Sequence, residues 1–287
     1  TLQHDGQLKL IAKTLEKKIK SELEKMLRDE REAYEEFFKA FGIQLKFGIY
    51  NDYGAHKETL RDLLIFRSSN EKKYVTLKEY ISRMKEGQDS IYYACGETDE
   101  KIDMLPQTDA VRDKGYEILY LTENVDEFAL KMLAEYDGKK FVNICDNDLN
   151  LDSEDEKKAL EEENTAAKDM FEAMKESIGD KINAVRFTNK LKDHPVCLTS
   201  EGGISLEMEK VLNSMPGAEQ NKVKAQLVLE INANHPIAEK LKTLYNEDKD
   251  TLGKYAKLLY GEACLIGGKS VPDPAEHSAL VCELMTK

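Results

Sequence analysis

Apolar residues recur at three- and four-residue steps near the start of the chain: Leu8, Ile11, Leu15, Ile19, Leu23 and Met26, with lysines and glutamates between them. A stripe on this period predicts an amphipathic helix. A second helical piece carries Tyr34, Phe37, Phe38 and Phe41, and Gly42 is expected to end it, because glycine is common just past a helix C-terminus. After Leu45-Lys46-Phe47-Gly48-Ile49 the pattern predicts a further helix with Leu60, Leu63, Leu64 and Phe66 on its apolar side. Leu77, Tyr80, Ile81 and Met84 mark one more.

The pattern then changes. Short apolar runs begin at Ile91, Tyr116 and Phe141, spaced 25 residues apart. The gaps hold amphipathic stretches at Thr108–Lys114 and Val125–Tyr136, closed by Gly115 and Gly138. Strand and helix alternating at this spacing predict a parallel βαβαβ unit. Residues 146–163 break the rhythm with nine acids and two lysines, the composition of a solvated linker or an exposed helix start. Beyond them a helix through Met170, Phe171 and Met174 ends at Gly179. Strands are expected at Ile182–Phe187, Val196–Thr199 and Ala225–Ile231, with a short helix Ser205–Met215 between the last two, stopped by Pro216-Gly217. Three helices follow: Pro236–Tyr245, Thr251–Ile266 and Pro274–Met285. The fold class is therefore α/β, or α+β overall: a helical segment, a small parallel βαβαβ unit, then an α+β domain ending in a helical bundle.

Length and charge narrow the function. The 287 residues are enough for two domains with sizeable cores. The net charge of −13 repels phosphate backbones and anionic lipid, which argues against nucleic-acid or membrane binding. No apolar run approaches the roughly 18 residues of a spanning helix. The five scattered cysteines read as reduced, buried thiols. Thr1 stands where a start methionine is expected, so the chain reads as a piece of something longer.

Candidate chemistry is sparse. Ala263-x4-Gly268-Lys269-Ser270 fits a loose phosphate-binding loop. That loop needs a strand before it and a helix after it, whereas here a helix leads in and Val271-Pro272-Asp273-Pro274 leads out. Gly267-Gly268 is better read as a helix stop. The expected strand ends are acidic (Gly96-Glu97-Thr98-Asp99-Glu100, Thr122-Glu123-Asn124, Asp146-Asn147-Asp148) and lack a G-x-G-x-x-G. His194 and Cys197 supply two metal ligands where a structural zinc needs four. The residues thus offer no catalytic constellation and no metal site. What they offer is adhesive surface: Met208, Leu212 and Met215 along the short helix, with Leu206 and Val211 beside them. Methionine-rich stripes adapt to varied apolar partners, or pack into their own domain. The terminal helices, with His277, Leu280, Val281 and Leu284 in one stripe, can meet within one chain or across a twofold axis.

Several stretches carry a resemblance. Leu77-Lys-Glu-Tyr-Ile-Ser-Arg-Met-Lys-Glu-Gly-Gln-Asp-Ser-Ile-Tyr-Tyr-Ala-Cys-Gly-Glu97 is close to a signature of the ninety-kilodalton heat-shock chaperones, particularly their bacterial HtpG type. Leu63-Leu-Ile-Phe-Arg-Ser-Ser69, Asp126-Glu127-Phe128, Glu135-Tyr-Asp-Gly-Lys139, Lys224-Ala-Gln and Asn234-His-Pro236 also resemble that family, so the likeness covers essentially the whole chain. It implies residues 1–50 as the helical part of a middle domain, 51–148 as its α/β part, 149–164 as an acidic linker, and 165–287 as a C-terminal client-binding and dimerisation domain.

The resemblance further implies a fragment of an ATP-dependent molecular chaperone of the stress response. ATP and Mg²⁺ would belong to the full-length protein, with no cofactor and no catalysis in this fragment. Thr1-Leu2-Gln3 looks like the end of the family's Ser-Arg-Glu-x-Leu-Gln loop, of which Gln3 is retained. Client contact is implied for Met208, Leu212, Met215, Leu206, Val211, Glu127 and Phe128. A dimer interface is implied for Leu252, Tyr255, Leu258, Leu259, Leu280, Val281 and Leu284. Partners would be a second copy, partly folded proteins and other chaperones. The family's acidic C-terminal pentapeptide and its ER-retention signal do not occur at Lys287, which fits a bacterial cytoplasmic protein. The alternative is a small-molecule or nucleotide-binding enzyme built on the βαβαβ unit.

Overall fold

A computed structural model describes residues 6–51, 53–146, 149 and 151–286. Two long helices open the chain, α1 (Gly6–Asp29) and α2 (Arg31–Asn51). Gly42 does not end the second: α2 runs through it, and the Phe38 ring folds back across the position. A Cβ there would lie 2.7 Å from two carbons of that ring. The glycine makes room for an aromatic side chain and stops nothing.

The next segment also departs from the sequence expectation. Only α3 (Lys57–Leu60) is α-helical, a 3₁₀ turn covers Arg61–Leu63, and Ile65–Ser68 is strand β1. Leu63, Leu64, Ile65 and Phe66 are all buried. A continuous apolar run of this kind fits a strand covered on both faces as well as a helix side, and length decides for the strand. β2 (Tyr74–Thr76) returns antiparallel to β1, and α4 (Leu77–Ser82) follows from a capping box in which Thr76 and Glu79 satisfy each other's backbone N–H.

β3 (Ser90–Cys95), α5 (Asp99–Asp103), α6 (Thr108–Asp113), β4 (Ile118–Leu121), α7 (Asp126–Leu133), β5 (Glu135–Tyr136) and β6 (Lys139–Asn143) complete the first sheet. Its strand order is β2-β1-β4-β3-β6-β5. β3 and β4 pair in parallel, Tyr92 opposite Ile118 through Cys95 opposite Leu121. The β3–β4 pair of the parallel unit expected from the sequence therefore lies inside a mixed sheet, because β1, β2 and β5 add antiparallel pairs. α7 stops at Leu133, short of the expected Tyr136. Ala134 takes a positive φ, and Asp137 and Gly138, also at positive φ, turn β5 into β6.

The acidic stretch folds partly into α8 (Glu154–Ala166), opened by a Ser153–Glu156 capping box. α9 (Lys168–Ile178), β7 (Ala184–Thr188), β8 (Val196–Glu201), α10 (Leu206–Ser214), β9 (Gln226–Asn232), α11 (Pro236–Glu247), α12 (Lys249–Ile266) and α13 (Pro274–Met285) follow. The second sheet has order β7-β9-β8, with β7 parallel and β8 antiparallel to β9. Gly267 and Gly268 close α12, the latter at positive φ with Lys269 N–H returned to the Cys264 carbonyl, so the phosphate-loop match is a helix stop.

The chain divides into two compact units: Thr1–Cys95 with Glu117–Phe141, and Gly96–Tyr116 with Val142–Lys287. In the first, Tyr34, Phe38, Phe66, Leu119 and Leu130 belong to one apolar core. In the second, Met174 of α9, Phe187 and Leu229 of the sheet, and Leu252, Leu259 and Ala263 of α12 belong to another. The cysteines are free, but only Cys197 and Cys264 are buried; Cys282 is exposed, which corrects the expectation of five buried thiols.

Candidate functional site

α10 begins where Ser205 accepts the Met208 N–H, the first-turn cap that its sequence position favours. Two polar and two apolar side chains then tie one side of the helix down. The Glu209 carboxylate accepts the Ala225 N–H at 2.7 Å and meets Lys269 Nζ at 3.3 Å. The Asn213 carboxamide accepts the Val223 N–H at 2.9 Å and donates to the Val223 carbonyl at 2.8 Å. Leu206 packs against the second unit's core and Val211 is buried. Met208 and Leu212 are left half-buried and Met215 is exposed. Of the five apolar positions that the sequence places on this helix, two therefore anchor it and three reach solvent. The clamp by Glu209 and Asn213 was not foreseen, because its partners are the backbone of Val223 and Ala225 and a lysine sixty positions away, which no side-chain pattern reveals.

Glu127 and Phe128 are placed differently. Both are buried; Glu127 accepts the Tyr93 hydroxyl at 3.1 Å and Phe128 meets the Tyr50 ring edge-on at 5.4 Å between centroids. They belong to the packing of the first unit and offer no surface.

α12 and α13 form a hairpin. Lys254 pairs with Glu283 at 2.6 Å, Lys257 with Glu276 at 2.7 Å, and Glu262 with His277 at 3.1 Å. The His277 ring lies against Gly261, where any Cβ would collide with it. Leu252 and Leu259 point into their own unit's core, Leu280 is buried, and Tyr255, Leu258, Val281 and Leu284 are half-buried. What α13 turns outward is a set the sequence reading did not single out: Ala275, Ser278, Ala279, Cys282 and Met285, all exposed and none charged. Both acids of α13 that follow its cap are engaged with α12, so the outer face is left small and uncharged. The readable signal was that absence of charge at the outward positions.

Among the described residues no group of three or more His, Cys, Asp or Glu side chains is arranged to hold a metal ion. Among them no helix is long and apolar enough to cross a membrane. Gln3 lies outside the described residues.

Comparison with known proteins shows the family. The model of the Hsp90 protein family matches residues 1–287, the full length of the sequence. The chain belongs to the Hsp90 family. It is 52% identical over 284 residues to the chaperone protein HtpG of Bacillus subtilis, covering 99% of this chain and 45% of that relative. The HtpG chaperones of Clostridium perfringens and Halalkalibacterium halodurans are each 53% identical over the same length and coverage. This Hsp90-family chain thus spans less than half the length of the curated relatives it matches, and those relatives are chaperones by name.

Proposed function

We propose that this chain is the client-holding, homodimeric part of a cytoplasmic bacterial molecular chaperone. ATP hydrolysis with Mg²⁺ belongs to sequence outside it. The observation that carries the reading is α10: a helix fixed by Glu209 and Asn213 to the segment that leads into β9, with Val211 buried, while Met208, Leu212 and Met215 reach solvent. A rigid mount with flexible thioethers outward suits transient contact with many apolar sequences. Residues 149–164 serve as the tether between the middle part and the dimerisation part, and the outward face of α13 serves as the dimer seam.

The test is suppression of aggregation of chemically unfolded malate dehydrogenase, followed by light scattering. Replacing Met208, Leu212 and Met215 together by Ser raises the amount of chain needed for half-suppression about tenfold. Unchanged suppression would remove α10 from the client surface.

A further inference from the structure

The two outer edges of the β7-β9-β8 sheet are closed in different ways. At β8 the cover is backbone: the Ser200 N–H donates to the Cys145 carbonyl at 3.2 Å, and Asp146 bridges Ser200 in parallel fashion. At β7 the cover is one side chain. Asn164 of α8 accepts the Phe187 N–H at Oδ1 (2.8 Å) and donates from Nδ2 to the Phe187 carbonyl (3.3 Å). A carboxamide is here making the pair of bonds that a residue of an adjoining strand makes.

The helix carrying this carboxamide is lightly held. Among the described residues of α8 none is buried; Leu160 leans on the core, and Glu163 pairs with Lys242 at 2.8 Å. A segment with so little buried surface opens at low cost. Along β7 runs a cleft of about 750 Å³ with Leu160, Phe171, Val185 and Phe187 on its apolar side and Glu161 and Glu172 at its margin. Four cations line it, Lys157, Lys168, Arg186 and Lys190; Arg186 meets Glu230 at 2.7 Å, Lys190 meets Glu230 at 3.4 Å and Lys157 meets Glu154 at 3.2 Å. α8 itself carries six acids against two lysines, so the flank is acidic.

We propose that β7 is a docking edge for an extended polypeptide segment, apolar at alternate positions and basic at its flanks, that displaces the Asn164 carboxamide and adds a strand to the sheet. Main-chain pairing is indifferent to side-chain identity, and the cleft selects only for apolar alternation. The acidic flank of α8 complements the basic ends of such a segment. The proposal extends the client-binding reading but uses a surface separate from the outward side chains of α10, so the two fail independently.

The probe is a fluorescein-labelled, capped heptapeptide of alternating valine and threonine with lysine at each end, titrated by fluorescence polarisation against the 287-residue chain. Asn164→Ala binds it about fivefold tighter, because the competing carboxamide is gone. Of two versions N-methylated at every valine or at every threonine, one loses at least about tenfold in affinity, since its donors toward β7 are blocked. Serine at Met208, Leu212 and Met215 leaves the difference between the two methylated versions unchanged. Failure of the unmodified peptide to bind, equal binding by both methylated versions, no gain in Asn164→Ala, or loss of that difference in the α10 variant would each overturn the docking edge. A chain that binds the peptide yet does not suppress aggregation keeps the edge and loses the client reading.

Discussion

Lys46 is buried with its ammonium 2.5 Å from the equally buried Asp126 carboxylate, and it lies 5.3 and 5.2 Å from the centroids of Phe38 and Phe66. Burial pushes the Asp126 carboxyl up, against the pull of Lys46 and of the Glu123 N–H at 3.1 Å. Removing one partner strands the other charge in the core. Asp126→Ala is therefore expected to cost about 3–5 kcal/mol in urea unfolding, and the double change Lys46→Met with Asp126→Leu clearly less. Equal losses for the single and double changes would show that packing, not charge, is at stake. Nothing in the hydrophobic pattern discloses this pair: a lysine between Leu45 and Phe47 reads as solvent-facing, and its partner stands eighty positions later. Gly42 was misread for a related reason. Sequence shows a helix breaker, whereas the position is governed by where the Phe38 ring lies. Gly42→Ala gains roughly 1 kcal/mol of helix propensity. The displaced, buried ring costs roughly 1–3 kcal/mol, so net destabilisation is the expected outcome of the same unfolding measurement.

At the scale of elements, those that form from local signals were legible. Thr76, Ser153, Ser205 and Asp273 each cap the helix that follows them, and α6, α9, α10 and α13 stand within a few residues of where periodicity puts them. Elements decided by tertiary pairing were not: β1 was hidden inside a helical stripe, and β5 needs the positive-φ turn at Asp137-Gly138 to exist at all. The α4 cap makes a pH-dependent prediction. Burial raises the Glu79 carboxyl, but the Thr76 N–H and the Arg31 guanidinium outweigh it and hold the group below the usual carboxylate range. A depressed carboxyl stabilises the fold at neutral pH and loses that contribution as pH falls through its folded-state value. Glu79→Gln should thus be less stable than the parent at pH 7, and the two unfolding curves should converge as pH falls below the usual carboxylate range. A gap that persists in acid would assign the effect to shape. The α12–α13 hairpin gives a second test: Gly261→Ala forces the helices apart at His277 and is expected to lower stability by about 1–3 kcal/mol, with His277→Ala in the same chain restoring most of it.

For the molecule as a whole, the sequence indicated adhesive terminal helices, and the family resemblance implied a seam of seven side chains, three of which the fold buries. Leu252, Leu259 and Leu280 are buried within one protomer, so a charge at Leu280 damages the hairpin along with any dimer. Ala279→Glu with Cys282→Glu alters only the exposed face. Sedimentation velocity at tens of micromolar is expected to show the parent as a dimer and this variant as a folded monomer. A dimeric variant would move the seam elsewhere.

The uncharged outer face of α13 has a kinetic consequence. Since Glu276 and Glu283 are neutralised within the hairpin, two approaching copies present no field to guide each other there, despite a net charge of −13 on each chain. Encounter at the proposed seam is then expected to proceed at the unassisted rate of about 10⁵–10⁶ M⁻¹s⁻¹ or below. Added salt, by screening the general repulsion between two acidic bodies, should quicken pairing, where an interface of complementary charges would slow.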